Sequence, residues 1–302
     1  MSIHIAQPHQ YNLSKVVSDL RRSREETHKI RHLGRVRELP SRDALEDILA
    51  GIFASLFPTH YGRADLTDES IDYFVGDVLN VALNKLAEQI RRGLYFSSSN
   101  SLEEDQGFDD LAQALTTQFA ADLPTIRALI VSDIRAAMSG DPAATSISEI
   151  LLCYPGVSAS IHYRIAHALY QSGSPLIARL ISEIAHSRTG VDIHPGAQID
   201  EGFFIDHGTG VVIGQTAILG KNIRLYQAVT LGAKRFPTDE EGNLLKGNDR
   251  HPILEDDVVI YAGATVLGRI TIGARSTIGG NVWLTKSVPP DSNISQAQML
   301  SH

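Results

Sequence analysis

A six-residue spacing of aliphatic side chains governs the C-terminal third of this chain. Ile193, Ile199, Ile205, Val211, Ala217, Ile223 and Val229 recur at that interval, and Leu254, Ile260, Val266, Ile272, Ile278 and Leu284 resume it after an interruption. A period of six matches neither the 3.6 residues of an α-helix nor the two-residue alternation of a lone strand. It matches a β-helix in which each hexapeptide builds one flat face and one corner. Aliphatics then stack inside while Gly, Asp and Glu take the turns. Three hexapeptides close a triangular coil, so these positions predict a little over four coils. The general preference for right-handed parallel crossovers favours a right-handed coil.

Upstream the period is helical. Leu45, Ile48, Leu49, Ile52, Phe53 and Leu56 form one stripe, with Ser41 placed to cap it and Pro58 to stop it. Ile71 to Leu86 carries a second. Shorter stripes follow: Leu111, Leu115 and Phe119; then Ile126, Leu129, Ile130 and Ile134; then Ile161–Leu169 and Leu176–Ile184. Gly140-Asp141-Pro142 and Ser172-Gly173-Ser174-Pro175 read as breaks. The fold class is thus α+β: a helical domain over 1–190 and a β-helix over 191–290. A protruding loop over 232–252 and a short tail over 291–302 complete it. The charged run RRSREETHKIRHLGR reads as a solvent-facing helix with no assigned function, within a mobile segment over residues 1–40.

Composition narrows the function classes. Hydrophobic residues at 43% and charged residues at 21% are ordinary globular values. A net charge of −8 argues against nucleic-acid or anionic-membrane partners, while leaving room for a local basic pocket. Cys153 is the single cysteine, so no internal disulfide forms. With no apolar leader and no long apolar run, the expectation is a cytoplasmic protein.

Three short motifs stand out: Asp192-Ile193-His194-Pro195 and Ile205-Asp206-His207-Gly208-Thr209-Gly210 within the repeat, and Asp249-Arg250-His251-Pro252 in the loop. Histidine titrates nearest neutrality, and a carboxylate at its second ring nitrogen fixes the tautomer. Asp192 and His207 stand slightly less than one coil of about eighteen residues apart, so they fall near each other on successive turns.

In this order the motifs resemble the signature of the serine acetyltransferases, over roughly residues 133–290. The resemblance implies a left-handed β-helix and transfer of acetyl from acetyl-CoA to the hydroxyl of L-serine, for cysteine biosynthesis. Such a transfer needs a base, donors for the oxyanion and fixed acceptor charges. Carried over by position, His207 is the general base and Asp192 its orienting carboxylate. Asp206 and Asp141 receive the serine ammonium, and Arg250 its carboxylate, with His251 beside it. Ala262 and Gly280 line the coenzyme groove between adjacent prisms, and Lys286 stands where a coenzyme phosphate would lie. The resemblance further implies a homotrimer or a dimer of trimers, inhibition by L-cysteine, and no metal. The loop before Asp249 is longer and more charged than the family's short Gly-rich loop, and it is placed to wall a site between neighbouring subunits. The family's tail often ends in isoleucine and docks into O-acetylserine sulfhydrylase. Gln298-Met299-Leu300-Ser301-His302 departs from that pattern and argues against such a complex.

Three other readings compete. One is a hexapeptide O-acetyltransferase acting on a sugar or xenobiotic hydroxyl, since fold does not imply function. Another is a zinc hydrase using His194, His207 and His251, although none of these has a second His within five residues. The third is a non-catalytic trimeric scaffold.

Overall fold

The computed structural model describes residues 11–27, 31–32, 35–36, 38–97, 105–235 and 238–296. Residues 1–10 and the tail residues 298–302 lie outside the described residues. Helix α1 (Leu13–Thr27) is exposed over residues 13–26. A two-stranded antiparallel ribbon of β1 (Arg31–His32) and β2 (Arg35–Val36) follows. Helix α2 (Arg42–Leu56) begins where Ser41 accepts the Ala44 N–H at 3.3 Å. Pro58 ends it and opens the single turn α3 (Pro58–Tyr61), since proline suits a first helical position.

After α4 (Ile71–Ser97), the two stripes expected around Phe119 and Ile130 prove to be one 36-residue helix, α5 (Asp105–Gly140), running through Pro124. Ala112, Thr116, Phe119, Leu123, Ile126, Ile130, Ile134 and Ala137 are all buried at spacings of three or four across the proline. That unbroken stripe outweighs the one backbone bond that proline removes. Helices α6 (Ile147–Cys153), α7 (Pro155–Gln171) and α8 (Pro175–Thr189) follow, and Gly190 closes α8 at φ 70°. The apolar faces of α2, α4, α5, α7 and α8 share one core. Among the described residues no helix is long and apolar enough to cross a membrane.

The second half is a parallel β-helix. Its strands are β3 (Asp192–Ile193), β4 (Gln198–Ile199), β5 (Phe204–Ile205), β6 (Val212–Ile213), β7 (Ile218–Leu219), β8 (Arg224–Leu225) and β9 (Thr230–Gly232). After the loop come β10 (Ile253–Leu254), β11 (Val259–Ile260), β12 (Thr265–Leu267), β13 (Thr271–Ile272), β14 (Thr277–Ile278), β15 (Trp283–Leu284) and β16 (Asn293–Ile294). Every third strand stacks, giving the sheets β3-β6-β9-β12-β15, β4-β7-β10-β13 and β5-β8-β11-β14-β16. A bridge from Val288 to Ile272 supplies the remaining face. The prism therefore has five coils rather than a little over four, and it runs past residue 290 to Ile294.

The repeat also changes phase at a place the six-residue spacing conceals. Ile193 pairs with Ile213, not with Val211, so this coil is twenty residues long, whereas the pairing of Ile253 with Thr271 makes a later one eighteen. Two extra residues sit in the corner Asp206–Gly210. Each face buries two inner columns, and the insertion moves the series from one column to the other. Val211 and Ile213 are both about fully buried, at 0% and 1% exposure, so hydrophobicity alone does not reveal the step.

Helix α7 plugs the open end of the prism. Ala159 and Tyr163 belong to the prism core, and the Tyr163 hydroxyl donates to the Ala197 carbonyl at 2.7 Å. A buried ion pair fastens the two halves. Arg164 donates to both oxygens of Asp133 at 3.0 and 2.9 Å, and to the carbonyls of Ile199 and Asp200. Asp133 also accepts the Ser160 hydroxyl and the Phe203 N–H.

Candidate active site

The first cluster forms where the chain turns from β5 to β6. His207, Gly208 and Gly210 all take left-handed φ, at 60°, 88° and 81°, so the two inserted residues bulge outward. His207 is thereby thrown into solvent, its side chain 68% exposed, while Asp206 behind it is 16% exposed. The carboxylate that meets its ring is Asp206, with Oδ1 3.6 Å from His207 Nδ1. Among the described residues no ion pair joins His207 to Asp192. Asp192 stands opposite Val212, one coil earlier on the same edge.

The end of α5 delivers Asp141 to this edge. Its Oδ2 accepts the Tyr154 hydroxyl at 2.6 Å and its Oδ1 accepts the Ala143 N–H at 2.8 Å. These two bonds, and the nearby charges of His207 and Arg224, hold the Asp141 carboxyl below its ordinary range. Tyr154 is pushed up to about 12, first by its bond to Asp141, with Glu149 and Asp206 contributing. It is therefore a neutral donor facing three carboxylates. The Arg224 guanidinium stacks over Phe204 at 5.5 Å and lies under Gly140, where any Cβ would collide with it. Neither Tyr154 nor Arg224 is marked by the sequence motifs. Both depend on how α5 and the α6–α7 junction fold back over the first coil.

The second cluster lies on another edge, between β6 and β7 and at the matching turn before β10. The Thr216 hydroxyl accepts the N–H groups of Arg250 and His251, and the Arg250 guanidinium donates to Gln215 Oε1 at 2.8 Å. The Thr216 N–H donates to His251 Nδ1 at 3.1 Å, which leaves the ring proton on Nε2. Burial, and then the Arg250 and Arg269 charges, lower His251 to about 4, so it is a neutral donor at working pH. A Cβ on Gly214 would strike its ring. His194, on the same edge, is likewise lowered to about 4, chiefly by burial, with Arg179, Arg250 and His251 adding.

The remaining sequence candidates divide between the same edges. Ala262 and Gly280 stack on the His207 edge, beside Tyr226 and Tyr261, whose rings lie parallel 4.9 Å apart. Lys286 follows β15 on the Arg250 edge. His207 therefore sits on a different edge from His194 and His251. Among the described residues no group of three His, Cys, Asp or Glu converges as a metal site would.

The hexapeptide prism, with its solvent-facing histidine among carboxylates, matches the transferases of the hexapeptide-repeat class. The family described as bacterial transferase hexapeptide (six repeats) matches residues 251–286, and that described as serine acetyltransferase, N-terminal, matches residues 77–160. The plasmid serine acetyltransferase of Synechococcus elongatus is 58% identical over 266 residues, spanning 87% of this chain and 83% of its own. Serine acetyltransferase isoform 3 of Entamoeba histolytica, solved in complex with cysteine, is 35% identical with a TM-score of 0.69, covering 94% of this chain and 92% of that one. The Neisseria gonorrhoeae enzyme, solved in complex with serine, is 29% identical with a TM-score of 0.54, covering 84% and 95%. The chain belongs to the serine acetyltransferase family. It is a serine O-acetyltransferase, and its prism is the family's left-handed β-helix.

Proposed function

We propose that the donor is acetyl-CoA and that each active site is shared by two copies of the chain in a homotrimer. The observation that carries this reading is the placement of His207, Asp206 and Asp141 on one edge of the prism and Arg250 and His251 on another. A free amino acid needs an anionic anchor for its ammonium and a cationic one for its carboxylate. Neighbouring prisms related by a threefold axis bring unlike edges together. Asp141 and Asp206 then receive the ammonium, and Arg250 of the adjoining copy receives the carboxylate. His207 takes the hydroxyl proton as the serine oxygen attacks the acetyl carbon, and Asp192 orients the ring from one coil away. Neutral His251, donating from Nε2, is placed to hold the acceptor or the oxyanion. The thiolate that leaves takes the proton back from His207. The coenzyme runs down the His207 edge past Ala262 and Gly280, with Lys286 contributed from the facing copy.

L-cysteine carries the same ammonium and carboxylate as serine, so it occupies the same anchors and inhibits. The cysteine bound in the Entamoeba relative supports this reading. A reducing, cytoplasmic setting suits the lone Cys153.

Mixed trimers test the shared site. His207→Ala and Arg250→Ala chains are each nearly inactive when assayed at serine concentrations well below the wild-type KM. Co-expressed in equal amounts, they place an intact His207 edge against an intact Arg250 edge in about a quarter of the sites. Activity of about a quarter of wild type is expected. Activity no greater than the mean of the two variants would place the whole site in one chain.

A further inference from the structure

A cavity of about 700 Å³ is built by the loop after β9 against the turn between β12 and β13. Its lining is cationic: Lys234, Arg235, Lys246, Arg250 and Arg269, with Asp249 as its one carboxylate. That carboxylate is already engaged, since Arg269 Nη2 lies 3.3 Å from Asp249 Oδ2. Arg269 also donates to the carbonyls of Thr216 and His251, and Arg250 is held by Gln215 and the Asn248 carbonyl. Lys234, Arg235 and Lys246 make no hydrogen bond or ion pair among the described residues. Three unpaired cations facing one cavity run against the trend of a chain with net charge −8. Concentrated positive charge in a concave surface selects a polyanion. The other walls, Leu244, Leu245, Leu267 and Ile270, are aliphatic, so the occupant also carries apolar surface.

From this we infer that Lys234, Arg235 and Lys246 form a clamp for the phosphates of the acetyl donor. The inference rests on the reading of acetyl-CoA as that donor, whose diphosphate and ribose phosphate supply the negative charge. The cavity is continuous with Arg250, the proposed serine anchor, and extends from it toward the later coils. A thioester held at the acceptor end therefore trails its phosphates toward the three cations. Lys234, Arg235 and Lys246 are exposed and lie outside both apolar cores, so neutralising them leaves the fold intact.

Calorimetric binding of CoA and of pantetheine, which lacks the phosphates, to the full-length protein separates the possibilities. In the variant carrying Lys234→Ala, Arg235→Ala and Lys246→Ala, CoA affinity falls about 10- to 100-fold, the scale of a few charge-assisted contacts. Pantetheine affinity stays within about twofold, and the salt dependence of CoA binding flattens as the charges are removed. CoA affinity unchanged in the triple variant overturns the clamp. An equal loss for CoA and pantetheine also overturns it, because the loop then acts through shape rather than charge. If the wild-type protein binds neither, the reading of acetyl-CoA as donor fails, and the clamp fails with it.

Discussion

Replacing His207 by alanine lowers kcat by about 10²- to 10⁴-fold, the usual contribution of a positioned base. Its side chain is 68% exposed and packs in neither apolar core, so thermal stability stays close to wild type. The loss therefore reads as chemistry rather than unfolding. Asp192→Asn costs less than His207→Ala, because an orienting carboxylate acts only through the ring. Asp206→Asn raises the KM for serine more than it lowers kcat, since its proposed partner is the ammonium. Steady-state rates at saturating acetyl-CoA, with far-ultraviolet circular dichroism on each variant, make the comparison. A folded His207→Ala protein with near-normal kcat contradicts the assignment of the base.

The second large effect is on stability. Arg164→Ala lowers the unfolding free energy by about 3–5 kcal/mol, the cost of leaving a buried charge without its partner. The side chains of Asp133 and Arg164 are 1% and 3% exposed, so little water reaches the carboxylate left behind. The same change frees the carbonyls of Ile199 and Asp200 at the turn that seats the first coil on α7. A paired substitution, Asp133→Leu with Arg164→Met, is milder than either single change, because it buries no orphan charge. Urea midpoints at one fixed protein concentration measure this, since an oligomer's apparent stability depends on concentration. A loss below about 1 kcal/mol for Arg164→Ala contradicts the role given to the pair.

The prism was legible because period six has few physical solutions, and the aliphatics that encode it are also the ones buried. Its coil count and phase were not legible. The two-residue insertion at Asp206–Gly210 moves the series from one apolar column to another, so the spacing reads on without a visible step. The separate stripes Leu111–Phe119 and Ile126–Ile134 belong to the single helix α5, because buried Leu123 between them joins Phe119 to Ile126 at helical spacing. The motif residues were readable as types: a neutral-pH base, carboxylates and a cation. Tyr154 was not, because its contact with Asp141 arises from a helix junction rather than from any spacing. The division of the site between two edges depends on which corner each motif occupies, and that follows only from strand register.

Release of CoA from acetyl-CoA on addition of L-serine, followed with a thiol reagent, reads acetyl transfer to the serine hydroxyl directly. Turnover is expected with L-serine, with much slower turnover of D-serine, whose charges cannot meet both anchors, and inhibition by L-cysteine that is competitive with serine. No stimulation by L-serine, alongside brisk CoA release with a sugar hydroxyl, would contradict it.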